Sequence, residues 1–90
     1  MKRVTIPEID NRLPDDMEIS EEETTENTIS ITMLRERDIY IELNCTRLGW
    51  RAYWKSPTEY DSKDLLRISN ILKSLDHRGF NPRKKEERAK

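Results

Sequence analysis

From residue 29 to residue 55 apolar and polar positions alternate, the period-two signature of strands with one buried face. Ile29, Ile31 and Met33 fall on one side, and Thr28, Ser30 and Thr32 on the other. Leu34-Arg35-Glu36-Arg37-Asp38 is a charged connector of hairpin length. Alternation then resumes, with Ile39, Ile41, Leu43 and Cys45 against Tyr40, Glu42, Asn44 and Thr46. A third run sets Leu48, Trp50, Ala52 and Trp54 against Arg47, Gly49, Arg51, Tyr53 and Lys55. The turn between these two runs is placed at Thr46-Arg47-Leu48-Gly49, where Gly49 can take a positive φ. Together the runs predict an antiparallel meander with one apolar face.

The period then changes. Ser56-Pro57-Thr58-Glu59 matches a capping box with proline at the first helical position, and Asp61 or Ser62 offers a competing cap. Leu65, Ile68, Leu72 and Leu75 follow helical spacing, with Leu66 and Ile71 widening the stripe. Gly79 stands where a left-handed C-terminal cap belongs. Phe80 is placed to touch Leu75, and Pro82 stops continuation. The stripe is expected to cover the Ile29/Ile31/Met33, Ile39/Ile41/Leu43 and Trp50/Trp54 face of the sheet, a two-layer arrangement.

Residues 1–28 read differently. Pro7 and Pro14 forbid a long helix, and Glu21-Glu22-Glu23-Thr24-Thr25-Glu26 repels itself. Val4 and Ile6 alternate as a short edge strand would, and Ile9, Leu13, Met17 and Ile19 recur through acidic surroundings. The expected class is therefore α+β: a three-stranded antiparallel sheet, with a fourth N-terminal edge strand as an option, packed on one C-terminal helix between charged flexible termini. Its parts are an acidic, largely extended or disordered head (1–28), a β-β-β-α core domain (29–80) and a basic flexible tail (81–90). A core of about 50 residues is marginal alone, which points to support from the head, from a homodimer or from a partner. On this reading, deleting residues 1–28 leaves the fold intact.

Charge sharpens the division. The formal net charge of −1 hides three basic against nine acidic residues in 1–28, nine against seven in 29–80, and five against two in 81–90. A lone cysteine, Cys45, allows no internal disulfide and fits a reducing compartment. Residues 1–20 lack an apolar signal core, and no run reaches the roughly 18 apolar residues of a spanning helix. The expectation is a cytoplasmic protein with no membrane association.

Catalytic chemistry has little to stand on. His77 is the only histidine and falls in the last helical turn, where a cation meets the negative end of the helix dipole. Cys45 sits on the apolar register of a strand and reads as a core residue. One His and one Cys do not make a zinc site, and two glycines do not make a phosphate loop. Neither an enzyme nor a cofactor or metal is expected.

Two surfaces remain as candidates for binding. The outer sheet face carries Tyr40, Asn44, Arg47, Arg51, Tyr53 and Lys55, a basic strand beside hydrogen-bonding side chains, which suits phosphates and base edges. Arg83, Lys84, Lys85, Arg88 and Lys90 extend that charge as an arm. Against nucleic acid stand Glu42 in the middle of the face and an overall pI near 5.9. Trp50 and Trp54 share the apolar register and read as core. The second surface is the head, whose Ile6, Ile9, Leu13, Met17 and Ile19 would anchor an acidic segment on a basic partner surface or let it mask the chain's own basic strand. The reading is a small non-catalytic regulatory or inhibitory protein that binds a partner protein, in the style of short, highly charged bacteriophage or mobile-element proteins. The alternative is a DNA- or RNA-binding domain using the outer face of the sheet.

Overall fold

In chain order the elements are β1 (Val4–Thr5), α1 (Ile6–Asp10), β2 (Met17–Ile19), a 3-10 turn at Glu21–Glu23, β3 (Thr28–Met33), β4 (Ile39–Thr46), β5 (Gly49–Trp54), α2 (Ser62–Arg78) and β6 (Phe80–Asn81). The computed structural model describes residues 2–34, 38–55 and 59–82. Strands β2-β3-β4-β5 form an antiparallel meander packed against α2, so the α+β class stands and an N-terminal strand is added. That strand is Met17–Ile19 rather than Val4–Ile6: Val4–Thr5 pairs with β6 in a separate two-stranded sheet, and Ile6 opens α1. The Ser56-Pro57-Thr58 cap and the 83–90 basic arm lie outside the described residues.

Residues of the head are built into the core. Val4, Ile6, Ile9, Leu13, Met17 and Ile19 are all buried in one apolar cluster with Ile29, Ile31, Ile41, Leu43, Trp50, Ile68, Ile71, Leu75 and Phe80. The reason is geometric. Four strands about 4.8 Å apart span about 14 Å between their outer axes, wider than a helix about 10 Å across. Helix α2 lies against β5, and α1 lies against β2. The expected boundary at residue 28 therefore does not separate two hydrophobic units.

Local chemistry explains how the head folds back. Thr5 caps α1 by accepting from the Glu8 amide at 3.3 Å, and Pro7 occupies the first turn, where its missing N–H costs nothing. Asp10 then accepts from the Ile19 amide at 3.1 Å, tying the end of α1 to β2. The chain ends meet through β1 and β6, which pair in parallel with Val4 opposite Phe80. Gly79 has a φ of +82 but a ψ of 173, so it leads straight into β6 rather than forming a left-handed cap. Its carbonyl accepts from the Val4 amide at 2.8 Å.

Arg78 completes this clasp. Its guanidinium donates to the Lys2 carbonyl at 2.7 Å and forms an ion pair with Glu8, which also meets Arg12 at 3.7 Å. Hydrogen bonding from Arg78 holds the Glu8 carboxyl below its ordinary pKa. A lowered folded-state pKa adds stability that is present above the unfolded value and lost as pH falls through the folded one. Glu8→Gln is expected to cost about 1 kcal/mol or less near pH 7, because both partners keep some exposure. Urea midpoints for wild type and E8Q should converge as pH drops below the glutamate range. A gap that stays constant with pH would show that the carboxylate charge plays no part.

Two register details correct the period-two reading. Ile31 stands opposite Ile41 but Thr32 stands opposite Ile39, so Tyr40 is the extra residue of a β-bulge. Tyr40 consequently packs against the core, and Ile39 turns to the outer face beside Thr32 and Leu34. On α2, which Asp61 caps by accepting from the Asp64 amide at 2.9 Å, the buried positions are Ile68, Ile71 and Leu75. Leu72 is half-buried, while Leu65 and Leu66 are 48% and 60% exposed. At about 100° per residue Leu66 falls roughly opposite the Ile68/Ile71/Leu75 face, and Leu65 falls at that face's edge.

Candidate binding surface on the β4–β5 hairpin

Strands β4 and β5 are joined by the two-residue loop Arg47-Leu48, with Thr46 opposite Gly49. The Thr46 hydroxyl donates to the Gly49 carbonyl at 2.7 Å and accepts from the Leu48 amide at 3.1 Å. Gly49 has a φ of +107, and a Cβ built there would lie 2.9 Å from Asp76 Oδ1. That carboxylate cannot retreat freely, because it accepts from the Trp50 amide at 2.7 Å and so ties β5 to α2. Gly49→Ala is expected to cost about 1–3 kcal/mol through backbone strain and a weakened tie. A urea midpoint unchanged from wild type would show that the turn relaxes at no cost.

The outer face is narrower than the sequence suggests. The acidic turn at Glu21–Glu23 folds over β3, where the Ser30 hydroxyl donates to the Glu23 carbonyl at 3.4 Å and the Ser30 amide to Thr24 Oγ1 at 3.3 Å. Ser30 and Thr32 are buried as a result. The acidic segment thus covers β3, two strands away from the basic β5, and does not mask it. Asn44 is engaged within the face: its Oδ1 accepts from the Thr28 hydroxyl at 3.1 Å and its Nδ2 donates to Glu42 at 3.3 Å. Tyr40 is turned inward by the bulge. Of the six candidates on this face, Arg47, Arg51, Tyr53 and Lys55 remain exposed. Among the described residues the ion pairs are those of Glu8 with Arg12 and Arg78, so none of these cations is neutralised by one.

The five head residues assigned to a partner, Ile6, Ile9, Leu13, Met17 and Ile19, are all buried. They cannot anchor a second protein without opening the fold. Two other expectations fail by position. Cys45 is exposed, because the apolar cluster does not reach over the hairpin end of β4. Trp54 is 38% exposed and stands edge-on to Tyr60 with ring centres 5.6 Å apart, whereas Trp50 is buried edge-on to Phe80.

A feature the sequence reading missed adjoins the basic residues. A groove of about 450 Å³ runs between β5 and α2, lined by Arg51, Ala52, Trp54, Leu65, Leu72 and Lys73 among others. The signal was the surplus of apolar side chains on α2, six where one stripe buries three. His77 is exposed at the end of α2. Among the described residues no three His, Cys, Asp or Glu side chains gather as a metal site would require. No described helix is long and apolar enough to cross a membrane. No protein-family model matches the chain, and neither the curated proteins nor the solved structures compared with it give a match.

Proposed function

We propose that this is a small non-catalytic regulatory protein that acts by binding a partner protein through the edge of β5 and the groove beside α2. The observation that carries the reading is that four of the six exposed large hydrophobic residues described, Tyr53, Trp54, Leu65 and Leu66, fall on β5 and the start of α2. Trp54 and Leu65 line the groove, and Tyr53, 64% exposed, stands beside Trp54 on β5 but on the opposite face, with Arg51 and Lys55 on either side of it. Aromatic and arginine side chains grouped around an apolar depression are the usual anchors of a protein interface. The buried head takes no direct part. It holds the sheet and helix that shape the groove.

A nucleic-acid reading keeps one point in its favour, the exposed Arg47, Arg51, Tyr53 and Lys55 on a single hairpin. It is weaker because Asn44 is already satisfied within the sheet and Glu42 lies among the cations. Fluorescence anisotropy with labelled duplex and single-stranded oligonucleotides, at two salt concentrations, separates the two. Little or no salt-sensitive binding is expected. A protein partner retained by the wild-type chain should be lost by Trp54→Arg. Tight binding of an oligonucleotide, with a salt slope reduced by about one unit in Arg51→Ala, would replace the protein-partner reading.

A further inference from the structure

The hydrogen-bond register of β5 shows which of its backbone groups are committed. Lys55 N donates to the Tyr40 carbonyl at 2.8 Å, whereas Trp50 N points away from β4 to Asp76. Antiparallel ladders alternate, so Gly49, Arg51, Tyr53 and Lys55 bond to β4, and Trp50, Ala52 and Trp54 aim their N–H and C=O groups off the sheet. Asp76 satisfies the first of these amides. Among the described residues nothing accepts from the other two, at Ala52 and Trp54. β5 is therefore an open edge, capped at its Trp50 end and free toward Trp54.

Side chains on either side of that edge differ in kind. On the outer face Arg51 and Lys55 flank Tyr53, and Arg51 also reaches the groove across the edge. On the inner face Ala52 and Trp54 border the groove with Leu65 and Leu72, and Lys73 stands on its rim. A strand laid along β5 would place its alternate side chains in these two settings. We infer that an extended acidic segment of the partner protein adds to β5 as a fifth strand, with carboxylates opposite Arg51 and Lys55 and apolar side chains entering the groove beside Trp54 and Leu65. The inference rests on the protein-partner reading and specifies the occupant of that site. A second copy of the chain is the poorer occupant, since antiparallel β5 pairing about Tyr53 would set Arg51 against Lys55 of the other copy, and like charges opposed across a ladder destabilise it.

The test uses an acetylated and amidated heptapeptide of alternating glutamate and valine, titrated into the full-length nitrogen-15-labelled protein. Saturable binding is expected, with amide exchange slowed at Ala52 and Trp54. Ala52→Pro removes an outward donor without touching the β4 ladder. It should weaken binding at least tenfold while leaving the rest of the amide spectrum in place. Methylating the peptide amides that face β5 should do the same with the protein unaltered, and methylating the alternate ones should not. Arg51→Glu should weaken the glutamate peptide and strengthen a lysine–valine counterpart. Strand addition is overturned if the peptide fails to bind, or if it binds with no protection at Ala52 and Trp54 and no sensitivity to methylation. It is overturned equally by a wild-type homodimer that Ala52→Pro dissociates. The broader reading survives such a failure if Trp54→Arg still abolishes capture of a protein partner that Ala52→Pro retains, and falls if both variants keep that partner.

Discussion

A fragment spanning residues 20–90 is expected to be unfolded, although it contains three of the four meander strands and the whole of α2. The cut removes β1, α1 and β2, and with them Val4, Ile6, Ile9, Leu13, Met17 and Ile19, every one of them buried. Burying an aliphatic side chain of this size contributes about 1.5–3 kcal/mol. Six such losses amount to roughly 10 kcal/mol or more, which rivals the roughly 5–15 kcal/mol by which a whole domain is stable. The deletion also exposes the β3 edge that β2 pairs with and removes the parallel partner of β6. Amide dispersion in a nitrogen-15 spectrum of the fragment should collapse toward random-coil values. Native dispersion in that fragment would show that the sheet and α2 suffice without the head, and that the apolar cluster is divisible at residue 19. The same reasoning governs any binding experiment: loss of a partner on truncation would report unfolding, so edge and groove variants are the informative ones.

What was legible in the sequence was whatever depended on neighbours in the chain. The strands over residues 29–54 follow from alternation, the hairpin from Gly49, and the helix from the 65, 68, 72 and 75 spacing. What was not legible depended on width and register. The residues 1–19 carry charge on nearly every turn, and that charge suggested a solvated tail. Yet Ile6 and Ile9 stand three apart and Met17 and Ile19 two apart, which are the helical and strand spacings of the elements found there. A sheet of four strands too wide for one helix was the missing consideration, and it turns those spacings into a requirement. The bulge at Tyr40 left no mark in the composition, and a single extra residue exchanged the faces of Ile39 and Tyr40. The basic hairpin was visible from the alternation of Arg47, Arg51, Tyr53 and Lys55. The groove beside it was not, because it exists only where α2 packs beside β5.

Helix α2 offers the sharpest comparison between position and composition. Ile68→Ala is expected to cost about 2–5 kcal/mol, since the side chain is fully buried and its removal leaves a cavity among packed neighbours. Leu66→Ala, two residues earlier in the same apolar pattern, is expected to change stability by no more than about 0.5 kcal/mol, because the leucine is mostly exposed. Helix propensity cannot produce that difference: isoleucine and leucine both give way to alanine, the best helix former, so propensity shifts both variants slightly toward stability. Only the rotation of α2 on the sheet separates them. Urea unfolding of the two variants beside wild type measures the contrast, provided the m-values agree. Equal losses at both positions would mean that α2 is turned so that Leu66 also packs inward. The groove would then lose Leu65 from its wall, and the open edge of β5 would have no apolar floor to receive a strand.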